Sequence, residues 1–427
     1  MPTSAPLPDH REALPVAAPQ RLSSLDFIRG IAVLGILVAN VVGFGQPLLA
    51  YMWPGAFLTP HGEGSDWLWV AQFVLVDGKM RGLFSLLFGA GLALMAEKAG
   101  EDGRVGLMSL QLRRLGWLLL FGLLHFYFLW RGDILVLYAL MGMAALLFLH
   151  WPRMNLLVMG TLLYVLGMVI NMALMASPFL IAETSLGAGE AMAEARASLV
   201  TAEQAAIARS AVETAIMTSG SYADFVAHNL RQYLTAPFTN ALLYLFETLP
   251  LMLIGMALYR YGLFSGGLDA VRLRWWSWAG VVLGSLATLA VALWIKATGL
   301  TYWGTIAAFM AFSHLLRLPV ILGLAALLAL AAPSAQGWLA RRLRAAGQMA
   351  FSNYLGTSVV MVLVFHPWAG GLWGKLTRPE LYLVALGGCV LMLTWSQPWL
   401  VRFRFGPLEW LWRCLTYGRL FPLRRED

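Results

Sequence analysis

Apolar runs of membrane-spanning length recur from one end of the chain to the other, and this repetition constrains the fold more than any single motif. A helix needs roughly 20 apolar residues to cross a hydrocarbon core of about 30 Å. About ten segments approach or exceed that length: 25–44, 82–97 with a lead-in from 66, 115–130, 133–150, 154–180, 241–261, 275–295, 305–332, 349–366 and 381–401. Lipid offers no partners to backbone N–H and C=O groups, and a helix satisfies them within one segment. The expected fold is therefore all-α, a polytopic membrane helix bundle. Of the 427 residues, 59% are hydrophobic and only 12% charged, against roughly a quarter charged in soluble domains. Too few charges remain to coat a globular surface, so most of the outer surface faces lipid.

The net charge of +8 does not point to nucleic acid. The basic residues sit in short loops: Lys98, Arg104, Arg113 and Arg114 after the second span, Arg153 after the fourth, Arg260, Arg272 and Arg274 after the sixth. Arg341, Arg342 and Arg344 follow the eighth, and Arg402, Arg404, Arg413, Arg419, Arg424 and Arg425 the tenth. With ten spans these fall on one side, together with Arg11 and Arg21, and the positive-inside rule then puts both termini in the cytoplasm. The expected organisation is a disordered tail at 1–20, five spans at 21–180, an outer amphipathic loop or cap at 181–240, five more spans at 241–402 and a cytoplasmic tail at 403–427. The tail at 1–20 is Pro- and Ala-rich and lacks a cleavable apolar core, so the first helix serves as targeting element. Cys389 and Cys414 have no metal-ligand spacing and read as packing residues. No metal site is expected, and no nucleotide-binding loop occurs.

Charge inside a spanning segment costs several kcal/mol unless partnered, so intramembrane polar residues are the site candidates. Asp26 and Arg29 share a face of the first helix, with Asn40 about 16 Å further along at 1.5 Å per residue. Asp77, Lys79 and Arg81 interrupt the second span, where Gly78 and Gly82 offer bends and where Asp77 and Arg81 are spaced to pair. His125, Arg131 and Asp133 surround the turn between the third and fourth spans, although an acid there is also a good helix cap. His314 and Arg317 lie one turn apart in the eighth span. Together these groups form outer, middle and inner clusters that could line a polar path. His61 reads as solvated, His366 as interfacial, and Trp53, Trp67, Trp69, Trp368 and Trp373 as an interface belt.

The runs SLDFIRGIAVLGILVAN, GKMRGLFSLLFGAG, HFYFLWRGDILVLYAL and FRFGPLEWLWRCLTYG together resemble the YeiB family of bacterial inner-membrane proteins, across nearly the whole chain from Arg21 to Gly418. More distantly, the first helix is similar to those of the transmembrane acyltransferases. That resemblance implies a helix bundle taking an acyl group from a cytoplasmic donor such as acyl-coenzyme A to a hydroxyl or amine of a glycan or lipid-linked acceptor on the far side. No bound cofactor is implied. Besides the bilayer, donor and acceptor, a second copy of the chain in a homodimer is a partner to consider. The O-acyltransferases carry Arg, ten residues, then a His proposed as base; here Arg29 is followed by ten residues and Asn40. An amide cannot serve as the base, so the base is sought at His61 or His125. His125 is preferred because a carboxylate such as Asp133 or Asp77 can orient it. The expected roles are His125, Asp133 and Asn40 at the chemistry, and Asp26, Arg29, Asp77, Lys79, Arg81, Arg131, His314 and Arg317 around substrate. A transporter or flippase of a small or lipid-linked solute, and a non-catalytic assembly partner, fit the same residues.

Overall fold

The computed structural model describes residues 23–101 and 106–425, so the tail expected at 1–20 lies outside the described residues, as do Arg11, Arg21 and Arg104. Among the described residues the fold is all-helical, with one isolated bridge pairing Phe403 and Arg424 and no strand. The bundle opens with α1 (Ser23–Gly45), α2 (Glu63–Leu75), α3 (Lys79–Glu101), α4 (Leu107–Phe128), α5 (Leu135–Leu146) and α6 (Arg153–Asn171). α7 (Ser177–Glu183) continues α6 through a π-helical turn at Met172–Ala176, and a surface layer follows, made of α8 (Ala193–Ser219) and α9 (Tyr222–Gln232). The chain re-enters through α10 (Ala236–Leu243), α11 (Leu245–Arg260), α12 (Ala270–Ala297), α13 (Tyr302–Ala307), α14 (His314–Ala331), α15 (Trp338–Gln348), α16 (Ala350–Phe365) and α17 (Arg378–Arg402), and closes with α18 (Pro407–Tyr417).

Among the described residues, seven helical stretches are long and apolar enough to cross a membrane, and nine if each sharply bent pair is one span. The bent pairs are α10 with α11, at 63°, and α15 with α16, at 86°. The remaining apolar segment, α5, has 12 residues, about 18 Å at 1.5 Å per residue. It is shorter than the expected span at 133–150 because its start is given over to an extended turn and its end to successive tight turns at Leu147–Leu149. The protein is thus a multi-pass membrane helix bundle. The stretch expected at 305–332 is interrupted by a π-helical turn at Ala308–Phe312.

The second span bends at Gly78, whose φ of +73° is a left-handed conformation that suits glycine. A side chain there would also meet the Arg317 guanidinium. Gly82, by contrast, lies inside α3 against Ile321 and Leu251, and marks a close approach instead of a bend. The segment 181–240 contains not only short helices but the 27-residue α8, which buries little beyond Met217. Its neighbour α9 begins with a capping box between Ser221 and Asp224 and is pinned to the end of α4: Asn229 Nδ2 donates to Tyr127 O, and Tyr222 Oη to Phe128 O.

Helix association in lipid relies on close backbone approach at small residues. The α3–α11 crossing shows this reciprocally: a Cβ on Gly89 would sit 2.0 Å from Met252 O, and one on Gly255 2.0 Å from Leu86 O. The α1–α15 crossing repeats the device, with Gly30 against Leu343 O and Gly347 against Asp26 O. Two members of the expected Trp belt, Trp69 and Trp373, are instead core residues at 1% and 3% exposure. Trp69 stacks on Phe73 and donates to Met52 O, so its indole is satisfied inside the protein.

Gly255→Ala is expected to cost about 3 kcal/mol, because the added methyl meets backbone that cannot yield. Gly91→Ala, where no atom lies within 4 Å of the new Cβ, should leave stability unchanged. Thermal unfolding of the two variants in detergent checks this; equal melting temperatures would refute the crossing as a rigid constraint.

Candidate functional site

A cavity of about 280 Å³ opens in the half of the bundle beneath α8–α10. Its wall carries Asn40, Arg81, Arg131, Asp133, Arg317 and Tyr51 among apolar neighbours. Three guanidiniums in one cavity require partners, and each has one. Arg81 Nη2 donates to both Glu247 oxygens, at 2.9 and 2.8 Å, and its guanidinium stacks on Tyr244 at 4.1 Å. Arg317 Nη1 lies 3.5 Å from the same Glu247, while its other nitrogens donate to Ser313 O and Phe309 O. Arg131 pairs with Glu213 of α8 at 2.5 Å and stacks on Tyr233, which ties the surface layer to the cavity mouth.

The turn between α4 and α5 is shaped by Trp130. Its ring stacks on Phe44 at 4.0 Å, and its indole nitrogen donates to Gly43 O. The next residue but one is glycine because a Cβ on Gly132 would sit 2.1 Å from that ring. Asp133 follows with two tasks. Its Oδ2 accepts from Val136 N–H at 2.8 Å, starting α5, and its Oδ1 lies 2.7 Å from His125 Nδ1. The capping role and the histidine contact therefore coexist on separate oxygens. The other ring nitrogen, His125 Nε2, lies 2.9 Å from Ser358 Oγ on α16. All three groups are buried: the His125 and Asp133 side chains are 0% and 1% exposed, and Ser358 is 1% exposed. Tyr354, one turn before Ser358, packs on the His125 ring and accepts from Ile134 N–H, so α16 is registered against the turn at two points.

Several sequence candidates lie elsewhere. Asp77 does not pair with Arg81; it accepts from Gln72 Nε2 at 3.0 Å, because the Gly78 turn sends the two side chains apart and Glu247 captures Arg81. Lys79 is fully buried and donates to Phe73 O at 2.6 Å, away from the cavity wall. His314 is held by Tyr164 O and Asn171, also behind the wall. Asp26 and Arg29 pair at 3.0 Å outside the cavity lining. The expected middle and outer clusters are therefore one, joined through Glu247, and the inner pair stands apart. His61 is not simply solvated: it is half-buried 2.9 Å from Asp66, and burial together with the Arg378 charge lowers its pKa. His366 is buried between Phe225 and Trp368 beneath α9, not interfacial. Among the described residues no group of three His, Cys, Asp or Glu could hold a metal.

Ser358 and Glu213 complete the constellation and carry no sequence signal of their own. A serine inside an apolar helix ordinarily bonds its own backbone, as Ser358 also does to Tyr354 O at 3.2 Å.

Residues 258–419 match a family model described as a protein of unknown function, DUF418. The uncharacterized protein YxaH of Bacillus subtilis (strain 168) is 29% identical over 439 residues, covering 96% of this chain and 98% of that protein. The uncharacterized protein YeiB of Escherichia coli (strain K12) is 30% identical over 417 residues, covering 94% and 98%. An uncharacterized 39.9 kDa protein from Bacillus acidopullulyticus is 28% identical over 416 residues, covering 96% and 97%. No solved structure matches the chain.

Glu247→Leu, which leaves two buried guanidiniums without their carboxylate, is expected to cost about 3–5 kcal/mol. Glu97→Ala, at the more exposed Arg260 pair, should cost under about 1 kcal/mol. Thermal unfolding in detergent separates the two, and a Glu247 variant as stable as the Glu97 one would remove the carboxylate from the role given to it.

Proposed function

The chain belongs to the YeiB family, and we propose that it is an integral membrane acyltransferase that moves an acyl group from a cytoplasmic acyl-coenzyme A-type donor to a hydroxyl or amine acceptor at the outer face. In this reading it sits in a bacterial inner membrane with both termini cytoplasmic. The observation that carries the proposal is the His125–Asp133 pair, 2.7 Å apart and enclosed, with Asp133 on the wall of the polar cavity. A carboxylate on Nδ1 fixes the tautomer that leaves Nε2 able to take a proton, which is the requirement for general-base catalysis of acyl transfer.

The remaining residues divide by position. Arg81, Arg131 and Arg317 line the cavity and are placed to stabilise developing negative charge on an acyl oxygen or to hold an anionic group of the acceptor. Asn40 contributes an amide donor on the same wall. Arg29, beside Asp26 near the other end of α1, is assigned to the donor's phosphates. Lys79 and His314 take structural roles, since Lys79 is spent on Phe73 O and the His314 ring on Tyr164 O and the Asn171 amide behind the wall.

A second reading, transport of a small or lipid-linked solute, is favoured by the sharply bent pairs α10–α11 and α15–α16, since broken helices line many transporter sites. It predicts flux of unmodified solute in proteoliposomes.

Purified protein in detergent, given acetyl- and palmitoyl-coenzyme A, is expected to release free thiol, detected colorimetrically. His125→Ala and Asp133→Asn should each lower the rate at least about 100-fold, with Glu97→Ala unaffected. If the wild type neither binds nor cleaves either thioester, the acyl-transfer reading fails.

A further inference from the structure

We propose that Ser358 is the nucleophile of this reaction and carries the acyl group as an ester, an inference that rests on the acyl-transfer reading. Ser358, His125 and Asp133 form a continuous relay: Oγ to Nε2 at 2.9 Å, then Nδ1 to Oδ1 at 2.7 Å. The serine comes from α16, the histidine from α4 and the aspartate from the α4–α5 turn, so only tertiary packing assembles them. A serine hydroxyl is a weak nucleophile until an oriented imidazole accepts its proton, and the arrangement is recognised by geometry, not by chain order. Asp133 is locked by the Val136 N–H on its second oxygen, and the Tyr354 hydroxyl fixes the turn that bears it. The carboxylate therefore has its orientation set by neighbours outside the relay.

Access is written into α1. Ser358 borders a small void of about 10 Å³ shared with Ile36, Asn40, Tyr354, Thr357 and Met392. Ile36 and Asn40 also line the cavity of about 280 Å³. These two side chains, one helical turn apart, border both spaces. The void has room for one water at most, so an acyl group reaches Ser358 when the Ile36 side chain moves aside, with Asn40 staying in place beside the serine.

The chemistry balances without an outside reagent beyond the thioester donor and the acceptor. As Ser358 Oγ attacks the thioester carbonyl carbon, its proton passes to His125 Nε2, and the oxyanion takes a hydrogen bond from the Asn40 amide. The carbon–sulfur bond breaks, the sulfur leaves with the proton from Nε2 as a free thiol, and the acyl group remains on Ser358 as an ester. The acceptor hydroxyl then attacks that ester, giving its proton to Nε2; the proton returns to Ser358 Oγ as the ester bond breaks. Nothing is oxidised or reduced.

The test is covalent capture. Full-length protein in detergent is incubated with acetyl- or palmitoyl-coenzyme A, or with a fluorophosphonate probe, then quenched, digested and analysed by mass spectrometry. The expected result is an acyl or phosphonyl adduct on Ser358 that is absent in His125→Ala. Ser358→Ala should lose the adduct and about 1,000-fold in thiol release. Ser358→Cys should recover an adduct as a thioester, and unchanged melting temperatures identify both variants as folded. Thiol release at the wild-type rate in Ser358→Ala, or His125-dependent turnover with no adduct on Ser358, overturns the proposal while leaving acyl transfer standing. Absence of His125-dependent thiol release in the wild type overturns both.

Discussion

A carboxylate deep in the bundle, Glu247, accepts two hydrogen bonds from Arg81 and lies within 3.5 Å of Arg317, and the polar half of the protein is organised around it. Charged groups this far from water persist only when paired. The pairing joins α3, α11 and α14, and the reciprocal glycine contacts of α3 with α11 bring the backbones close enough for it. Arg317 in turn packs over Gly78, so the same guanidinium fixes the break that lets α2 and α3 turn around the cavity. Remove the carboxylate and the break, the cavity wall and the helix crossing all lose a common anchor.

The bundle itself was legible in the sequence because hydrocarbon imposes one length and one composition on every spanning helix. The exceptions were segments whose geometry is tertiary. A run at 133–150 is apolar throughout, but only the packing of Trp130 on Phe44 shows that its start must be an extended turn. Trp69 and Trp373 follow an interface composition yet sit in the core, and the Trp69 indole, which finds Met52 O inside the protein, has no need of headgroups.

Site residues divide the same way. The proximity of His125 and Asp133 was legible because eight residues of helix end and turn separate them, too few for the chain to carry them far apart. Arg81 and Glu247 were each visible as buried charges, but their pairing was not: Asp77 is closer to Arg81 in sequence, and the left-handed Gly78 between them redirects it to Gln72. Ser358 lies 233 residues from His125 and had no local signature at all. One hydroxyl in an apolar helix acquires meaning only when another helix aims an imidazole at it.

Polarity is divided unevenly between α1 and α16. Between Arg29 and Asn40, about 16 Å at 1.5 Å per residue, the helix buries Ala32, Val33, Ile36 and Leu37 and no charged side chain. The polarity at these levels is carried by other helices: on α16, Asn353, Thr357 and Ser358 are buried in succession, with the Thr357 hydroxyl donating to Asn353 O and Asn353 Nδ2 donating to Ser396 Oγ of α17 at 3.1 Å. Each of these hydroxyls and amides finds its partner inside the protein, as groups with no access to water must. α1 therefore contributes apolar packing through the middle of the bundle while α16 supplies the polar side chains, which is why the hydroxyl beside His125 comes from α16 and not from α1.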